Sequence, residues 1–485
     1  MTQIKDIQPT EVWSIFNQML QIPRPSYHEE KIQEWAYNFG ENLGLETLKD
    51  ESGNIIIRKP ATPGMENRKG VILQGHLDMV PQKNSDKAHD FENDPIEAFI
   101  DGEWVTANGT TLGADNGIGV SSALAVLASD WVKHGPIEVL LTATEETGMD
   151  GAKGLKPGIL SGNILLNTDT EDEGTFSIGC AGGIDVTATF KNNLKKADKK
   201  RKAFKLSVTG LKGGHSGVDI HLGRGNSNKI FFRIVKEAGE KLGVRLADVQ
   251  GGSLRNAIPR ETFGVVLVKP KKAEKLNALV NELAETVKNE LANVEPALSI
   301  TLEPAKLPKT WMPVALQKKL TNAVWAAPND VVRMSDTMPG TVETSSNLAI
   351  VKSDKKKIEV SCLVRSFSES AKGALASRLG SVFSLAGADV KTSGNYPGWQ
   401  PDVHSEILEI MKNLYEGQFG KQPELLAMHA GLECGILGAT YPNWDMISIG
   451  PTIKYPHSPD EKVNIETVKK YWDFLLNVLA NVPEK

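Results

Sequence analysis

Four short apolar runs mark the chain, and each leads into acidic or histidine residues. Val71-Ile72-Leu73 leads to His76 and Asp78. "IEVLLTAT", from Ile137, leads to Glu145 and Glu146. "ILLN", from Ile164, leads to Asp169. "DMISIG", from Asp445, leads to Gly450 and then His457. Unbroken apolar runs of this length are the pattern of parallel strands buried on both faces. Helical patterns lie between them, such as "NGIGVSSALAVLASDWV" after Asp115. This alternation predicts an α/β fold with a mostly parallel sheet. Ligands of such sheets bind beyond the carboxyl ends of the strands, where the acidic and histidine residues are expected to fall.

From about Gly183 to Tyr396 the pattern changes to two passes of β-α-β-β-α-β. The first runs from "FKLSVTG" to "ALSITLEP", with helices at "NKIFFRIVKEAGEKLG" and "KKAEKLNALVNELAETVKNEL". The second has a helix near "LQKKLTNAVWAA", strands at "VETSSNLAIVKS" and "KKIEVSCLVRSF", a helix at "AKGALASRLGSVFSLAG" and a last strand at "ADVKTSGNY". Both resemble ferredoxin-type units. The expected organisation is one α/β domain built from residues 1–184 and 397–485, interrupted by a duplicated, ferredoxin-like α+β domain over 185–396.

A length of 485 residues accommodates two such domains, and 40% hydrophobic with 24% charged residues is ordinary globular composition. The net charge of −5 advertises neither nucleic acid nor an anionic membrane as partner. The basic run "KKADKKRK", Lys195 to Lys202, reads as a solvated loop between strands. Cys180, Cys362 and Cys434 are far apart and odd in number, which suits a reducing cytoplasm rather than a disulfide framework. The first twenty residues lack the apolar core of a signal peptide, and no apolar run is long enough for a membrane span.

His76, Asp115, Glu146, Asp169 and His457 form a candidate ligand set of imidazoles and carboxylates without a thiolate. Such donors suit zinc, cobalt or manganese. Five protein ligands are too many for one tetrahedral ion with an open position, but fit two ions about 3.5–4 Å apart sharing a carboxylate. Asp115 is the natural bridge, because Gly113 and Gly117 in "GADNG" let the backbone approach closely. A water held between two such ions becomes a hydroxide at neutral pH. Glu145 adjoins Glu146, so one glutamate can ligate while the other acts as general base. Asp78 is placed to accept the second ring N–H of His76. Taken singly, "TEET" reads as a solvated loop, "NTDT" as a turn and His457 as a loop histidine. Their joint position at the ends of strands in one sheet favours the metal site.

"GHLDMVP", "GADNGIG", "ATEETGMDGA", "NTDTEDEG" and "GPTIKYPHSPDE" together resemble the two-metal aminopeptidase, carboxypeptidase and aminoacylase superfamily. Within it the chain is most similar to the cytosolic non-specific dipeptidases, or aminoacyl-histidine dipeptidases. That similarity extends to "RPSYHEE", "GGHSG", "RNAIPRE", "YPGWQPD" and "HAGLECG". The resemblance implies two divalent ions, usually zinc, on His76, Asp115, Glu146, Asp169 and His457. It implies Glu145 as the general base, Asp78 as the clamp on His76 and a cis bond after Asp115. It makes the inserted domain a lid and dimerisation domain of a cytoplasmic homodimer. His215 resembles the lid histidine that reaches substrate, often from the partner subunit. Arg365 resembles the arginine that takes the substrate's terminal carboxylate, and Asn256 is a third substrate contact, with Asn347 as a competing equivalent. The expected activity is hydrolysis of unblocked dipeptides, including those ending in histidine such as carnosine. The alternatives are an aminoacylase or deacetylase acting on N-acyl amino acids, and a non-catalytic peptide-binding protein; no ligand or base is missing from the sequence, which argues against the last.

Overall fold

The computed structural model describes residues 3–485. The strands Val71–His76, Ile137–Thr142 and Ile164–Asn167 are buried at every position, as continuous apolar runs require. They lie at the centre of an eight-stranded sheet. Val71–His76 runs parallel to both Ile137–Thr142 and Ile164–Asn167, and Asp445–Ser448 runs parallel to Ile164–Asn167 on its other side. Antiparallel pairs flank this parallel core, with Ile55–Lys59 and then Glu46–Lys49 on one side. The helix Ala114–Ala128 is buried along nearly its whole length. Its small residues allow close packing: a Cβ at Gly117 would lie 2.7 Å from the Phe16 ring and 2.8 Å from the Arg24 guanidinium. A second sheet, of four strands, carries the hairpin from Ile453–Lys454 to Lys462–Asn464.

These elements belong to one compact unit, made of the residues up to Gly179 with Trp399–Ala427 and Leu432–Lys485. Cys180–Gly398 and Met428–Gly431 make a second. Among the described residues no helix is long and apolar enough to cross a membrane.

The second unit is built on a nine-stranded antiparallel sheet. One half contains Lys202–Thr209, Arg245–Gly251, Thr262–Val268 and Ser299–Ala305, with the helices Ser227–Leu242 and Ala273–Glu290. Its first and third strands lie in the middle. The other half repeats this order with Gly182–Lys191, Val342–Ser353, Lys357–Ser366 and Asp389–Tyr396, and the helices Val314–Ala326 and Glu369–Leu385. The halves join edge to edge at Gln250↔Lys352 and Gly251↔Val351, and one core runs under both, including Phe231, Phe232, Leu348, Val360 and Phe383. One detail departs from the sequence pattern. The second repeat is not contiguous: its opening strand, Gly182–Lys191, precedes the whole first repeat, which is inserted between that strand and its helix. "KKADKKRK" is largely exposed but not wholly a loop: Lys195–Lys196 pairs as a short strand with Thr310–Trp311, and Lys202 opens the strand Lys202–Thr209.

Candidate metal centre

The sheet brings the carboxylates to the two imidazoles in two sets. His76 Nε2 lies 3.0 Å from Asp115 Oδ1 and 3.3 Å from Asp169 Oδ1. His457 Nε2 lies 3.2 Å from Asp115 Oδ2 and 3.0 Å from Glu146 Oε2. Each oxygen of Asp115 therefore serves a different imidazole–carboxylate pair. His76, Asp115 and Glu146 also each offer a ligand atom within 4.8 Å of the others. Of the adjacent glutamates, Glu146 pairs with an imidazole; among the described residues Glu145 pairs with neither.

Local structure explains these placements. His76 ends its strand, and Asp169 and Glu145 follow the ends of the two strands beside it. The Asp115–Asn116 peptide is cis, as the resemblance implies, and Asn116 Nδ2 donates to Asp169 Oδ1 at 2.7 Å. His457 departs from expectation. It lies not at the end of Asp445–Ser448 but in the Ile453–Asn464 hairpin, with a left-handed φ of 61°.

Asp78 is fully buried and does more than clamp His76. The nearest acceptor to His76 Nδ1 is the main-chain oxygen of Asp78 at 3.1 Å, with its carboxylate at 3.4 Å. That carboxylate also accepts from the main-chain N–H groups of Glu145 (2.9 Å) and Glu146 (3.2 Å), and from Ser26 Oγ (2.8 Å). It thus holds His76 and both glutamates in one register.

The electrostatics fit a cation. Burial, reinforced by Asp169, Glu433 and Glu146, pushes the Glu145 carboxyl well above the usual range. Burial raises Asp169 to about 7, with Asp115 adding to the effect. Hydrogen bonds to Asp115 and Glu146 raise His457 to about 11. Among the described residues, Glu146 Oε1 is buried without a hydrogen-bond partner. Carboxylates this crowded are stabilised by divalent ions, and imidazoles with carboxylates are the donors zinc, cobalt and manganese accept.

Several supporting residues carry no role in the sequence reading. Arg24 and Glu29 fall in "IPRPSYHEE", Glu433 in "HAGLECG" and Glu461 in "PHSPDE". Glu29 Oε1 accepts from both the N–H and the hydroxyl of Thr144, at 2.8 Å each, and so fixes the turn before Glu145. Glu433 accepts from Gln74 Nε2 (2.6 Å) and Thr142 Oγ1 (2.8 Å) between two central strands.

The second unit gathers His215 and Arg365. His215 Nδ1 accepts from the N–H groups of Gly217 and Val218, both at 3.2 Å, which assigns the ring proton to Nε2. Arg365 Nη2 stands 3.4 Å from that Nε2, donor facing donor; burial first, and then this guanidinium, lowers the His215 pKa. Arg365 also donates to Tyr396 Oη at 2.9 Å and, among the described residues, pairs with no carboxylate. Asn256 is exposed, and its main-chain oxygen accepts from Ser216 N at 2.8 Å. Asn347 is buried, and its amide donates to the oxygens of Arg255 and Ala257, so it braces the loop that presents Asn256.

Two imidazole–carboxylate sets sharing one aspartate, gathered beyond the carboxyl ends of the central parallel strands, make a donor set suited to divalent ions, and the chain belongs to Peptidase family M20/M25/M40, whose pattern matches residues 72–481. It is 49% identical, over the full length of both chains, to the cytosol non-specific dipeptidase of Escherichia coli (strain K12). It is likewise 49% identical to the aminoacylhistidine dipeptidase of Vibrio alginolyticus, whose crystal structure matches with a TM-score of 0.96 over 100% of this chain and 99% of that one. The aminopeptidase PepT structure from Bacillus cereus, at 15% identity and a TM-score of 0.58 over 98% of this chain and 99% of that one, shares the fold.

Proposed function

We propose that this chain is a two-metal dipeptidase that hydrolyses unblocked dipeptides, including those ending in histidine. The observation that carries the proposal is the division of Asp115 between two imidazole–carboxylate sets, with Glu145 left outside both. It is supported by full-length 49% identity to proteins named as a non-specific dipeptidase and an aminoacylhistidine dipeptidase.

His76 and Asp169 would hold one ion, His457 and Glu146 the other, and Asp115 would bridge them. When bound, the ions supply Lewis-acid polarisation of the peptide carbonyl and lower the pKa of the attacking water. Zinc is the metal proposed, with cobalt and manganese as functional substitutes. Glu145 takes the proton of the attacking water and delivers it to the leaving amine. Asp78 keeps Glu145 and His76 in register. Nε2–H of His215 is the donor for the developing oxyanion, the Arg365 fork binds the terminal carboxylate, and Asn256 adds a polar contact. The working form is a cytoplasmic homodimer.

The test is a panel of free and N-blocked dipeptides assayed with chelator and metal add-back, alongside sedimentation of the purified protein. Hydrolysis of free dipeptides that disappears with chelator and returns with zinc is expected. Turnover of N-acyl amino acids alone would make the chain an aminoacylase. Full activity in metal-free protein, verified by elemental analysis, would end the two-metal reading.

A further inference from the structure

The peptide before Asp115 is held from both sides by buried charges. On one side, Glu461 accepts four consecutive main-chain N–H groups. Its Oε2 takes Leu112 (2.8 Å) and Gly113 (3.0 Å), and its Oε1 takes Ala114 (2.7 Å) and Asp115 (3.3 Å). On the other side, the guanidinium of Arg24 donates to the main-chain oxygen of Gly113 at 2.5 Å. The same guanidinium donates to the oxygens of Leu77 (2.8 Å) and Asp78 (3.0 Å). Both side chains are only 2% exposed.

Each residue joins two ligand-bearing segments. Arg24 links the end of the His76 strand to Gly113. Glu461 links residues 112–115 to its own loop, which carries His457 four positions earlier and closes on itself through Glu461 N to Ser458 O at 3.0 Å. Thr106 Oγ1 pins the main chain of Glu461 at 2.8 Å. Gly113 fits this frame because its φ is +73° and because a Cβ there would stand 2.6 Å from Arg24 Nη2. A fully buried guanidinium that donates to main-chain oxygens, and a buried carboxylate that consumes four N–H groups, are costly unless a precise backbone geometry is retained.

We propose that Arg24 and Glu461 are positioning residues that fix the spacing of His76, Asp115 and His457 and so set the affinity of the centre for its ions. The inference rests on the two-metal reading above. Neither residue touches the reacting atoms. A glutamine at 461 would retain one acceptor oxygen and turn an NH2 group toward two N–H donors, displacing the start of the helix with Asp115. A lysine at 24 would keep the charge and lose the fork that spans Gly113 and the 77–78 segment.

The test compares wild type, Glu461→Gln and Arg24→Lys by zinc titration against a competing chelator, by the visible spectrum of the cobalt-loaded proteins, and by kcat and KM. Each variant is expected to bind at least one ion 10–100-fold more weakly, the usual effect of removing outer support. The cobalt bands should shift, and excess metal should restore much of kcat with little change in KM. Wild-type zinc affinity and unchanged cobalt spectra in both folded variants would overturn the inference. A merely structural role would lower the melting temperature and leave both unchanged. If neither variant folds, hydrogen exchange on the metal-free wild type decides. Amides of Leu112, Gly113, Ala114 and Asp115 should exchange as slowly as those of the central strands, and rapid exchange would overturn the frame. A wild type that binds no ion defeats the underlying reading instead, so the two failures are distinguishable.

Discussion

Replacing Asp78 by asparagine tests how much of the site's activity depends on a residue that need not touch substrate. The two oxygens of Asp78 divide their partners. Oδ1 accepts from Glu145 N and faces His76 Nδ1, while Oδ2 accepts from Glu146 N and Ser26 Oγ. Burial acts to raise its pKa, but His76, Ser26 and the Glu145 N–H together hold it below the ordinary carboxylate value, so these partners favour the anion. Whichever way the asparagine amide sits, one main-chain N–H loses its acceptor and meets an NH2 group. A buried donor left unpaired costs about 1–3 kcal/mol. At about 1.4 kcal/mol per tenfold, that is roughly 5- to 150-fold, which brackets the 10–100-fold typical of lost support at metal sites. Asp78→Asn should therefore lower kcat/KM on a free dipeptide by about 10–100-fold. Zinc affinity measured by chelator competition should fall alongside it. Ser26→Ala removes a partner whose loss leaves no N–H stranded, and should cost less. Asp78→Asn within twofold of wild type in both measurements would refute the assignment of Asp78 as the common anchor of His76, Glu145 and Glu146.

The neighbouring glutamates should separate by readout: Glu145→Gln retains both ions and loses about 10²–10⁴-fold in turnover, while Glu146→Gln lowers the occupancy of one ion. Equal metal content in the two variants would show the division of labour to be wrong. Acid stability should report His429, whose Nε2 lies 2.7 Å from Ser345 Oγ and whose pKa is lowered to about 3, by burial first and then by Arg365. Because the folded pKa is depressed, the unfolded chain gains its proton first as pH falls below 6.5, and stability is lost at about 1.4 kcal/mol per pH unit down to about 3. His429→Gln should be less acid-sensitive than wild type, by about 2 kcal/mol between pH 7.5 and 5 in denaturant titrations; parallel pH profiles would exclude His429 as the source.

The parts of this architecture legible in the sequence are those that burial writes directly into residue type. Val71–His76, Ile137–Thr142 and Ile164–Asn167 read as continuous apolar runs because both faces of each strand are covered. The repeated β-α-β-β-α-β order was legible for the same reason, through its amphipathic helices. The opening strand of the second repeat was not, because Gly182–Lys191 is separated from its own helix by the whole first repeat and nothing local marks that partnership. The element that carries His457 is not legible, because a short hairpin in a second sheet leaves no long apolar signal. Arg24, Glu29 and Glu461 were illegible as supports. In sequence a buried charge looks like a surface one, and only the main-chain groups it meets in the fold reveal its role.

Those buried charges also explain how such an acidic cluster is held together. His76 Nε2 lies between Asp115 Oδ1 and Asp169 Oδ1, while its Nδ1 faces the main-chain oxygen of Asp78. His457 Nε2 similarly lies between Asp115 Oδ2 and Glu146 Oε2. Both imidazoles are raised toward the charged form: in His76 the surrounding carboxylates, led by Asp169, outweigh burial, and in His457 hydrogen bonds to Asp115 and Glu146 dominate. The carboxylate oxygens that converge on each Nε2 thus favour positive charge at these positions. Under the two-metal proposal, ions would take the place of protons on these rings, and the backbone frame would have to hold its spacing throughout. A frame made of main-chain groups gripped by Arg24 and Glu461 meets that requirement, because its hydrogen bonds do not pass through the ligand atoms themselves. Under the two-metal proposal, such a frame would keep the spacing of the three segments independent of the charge carried by the ligand atoms.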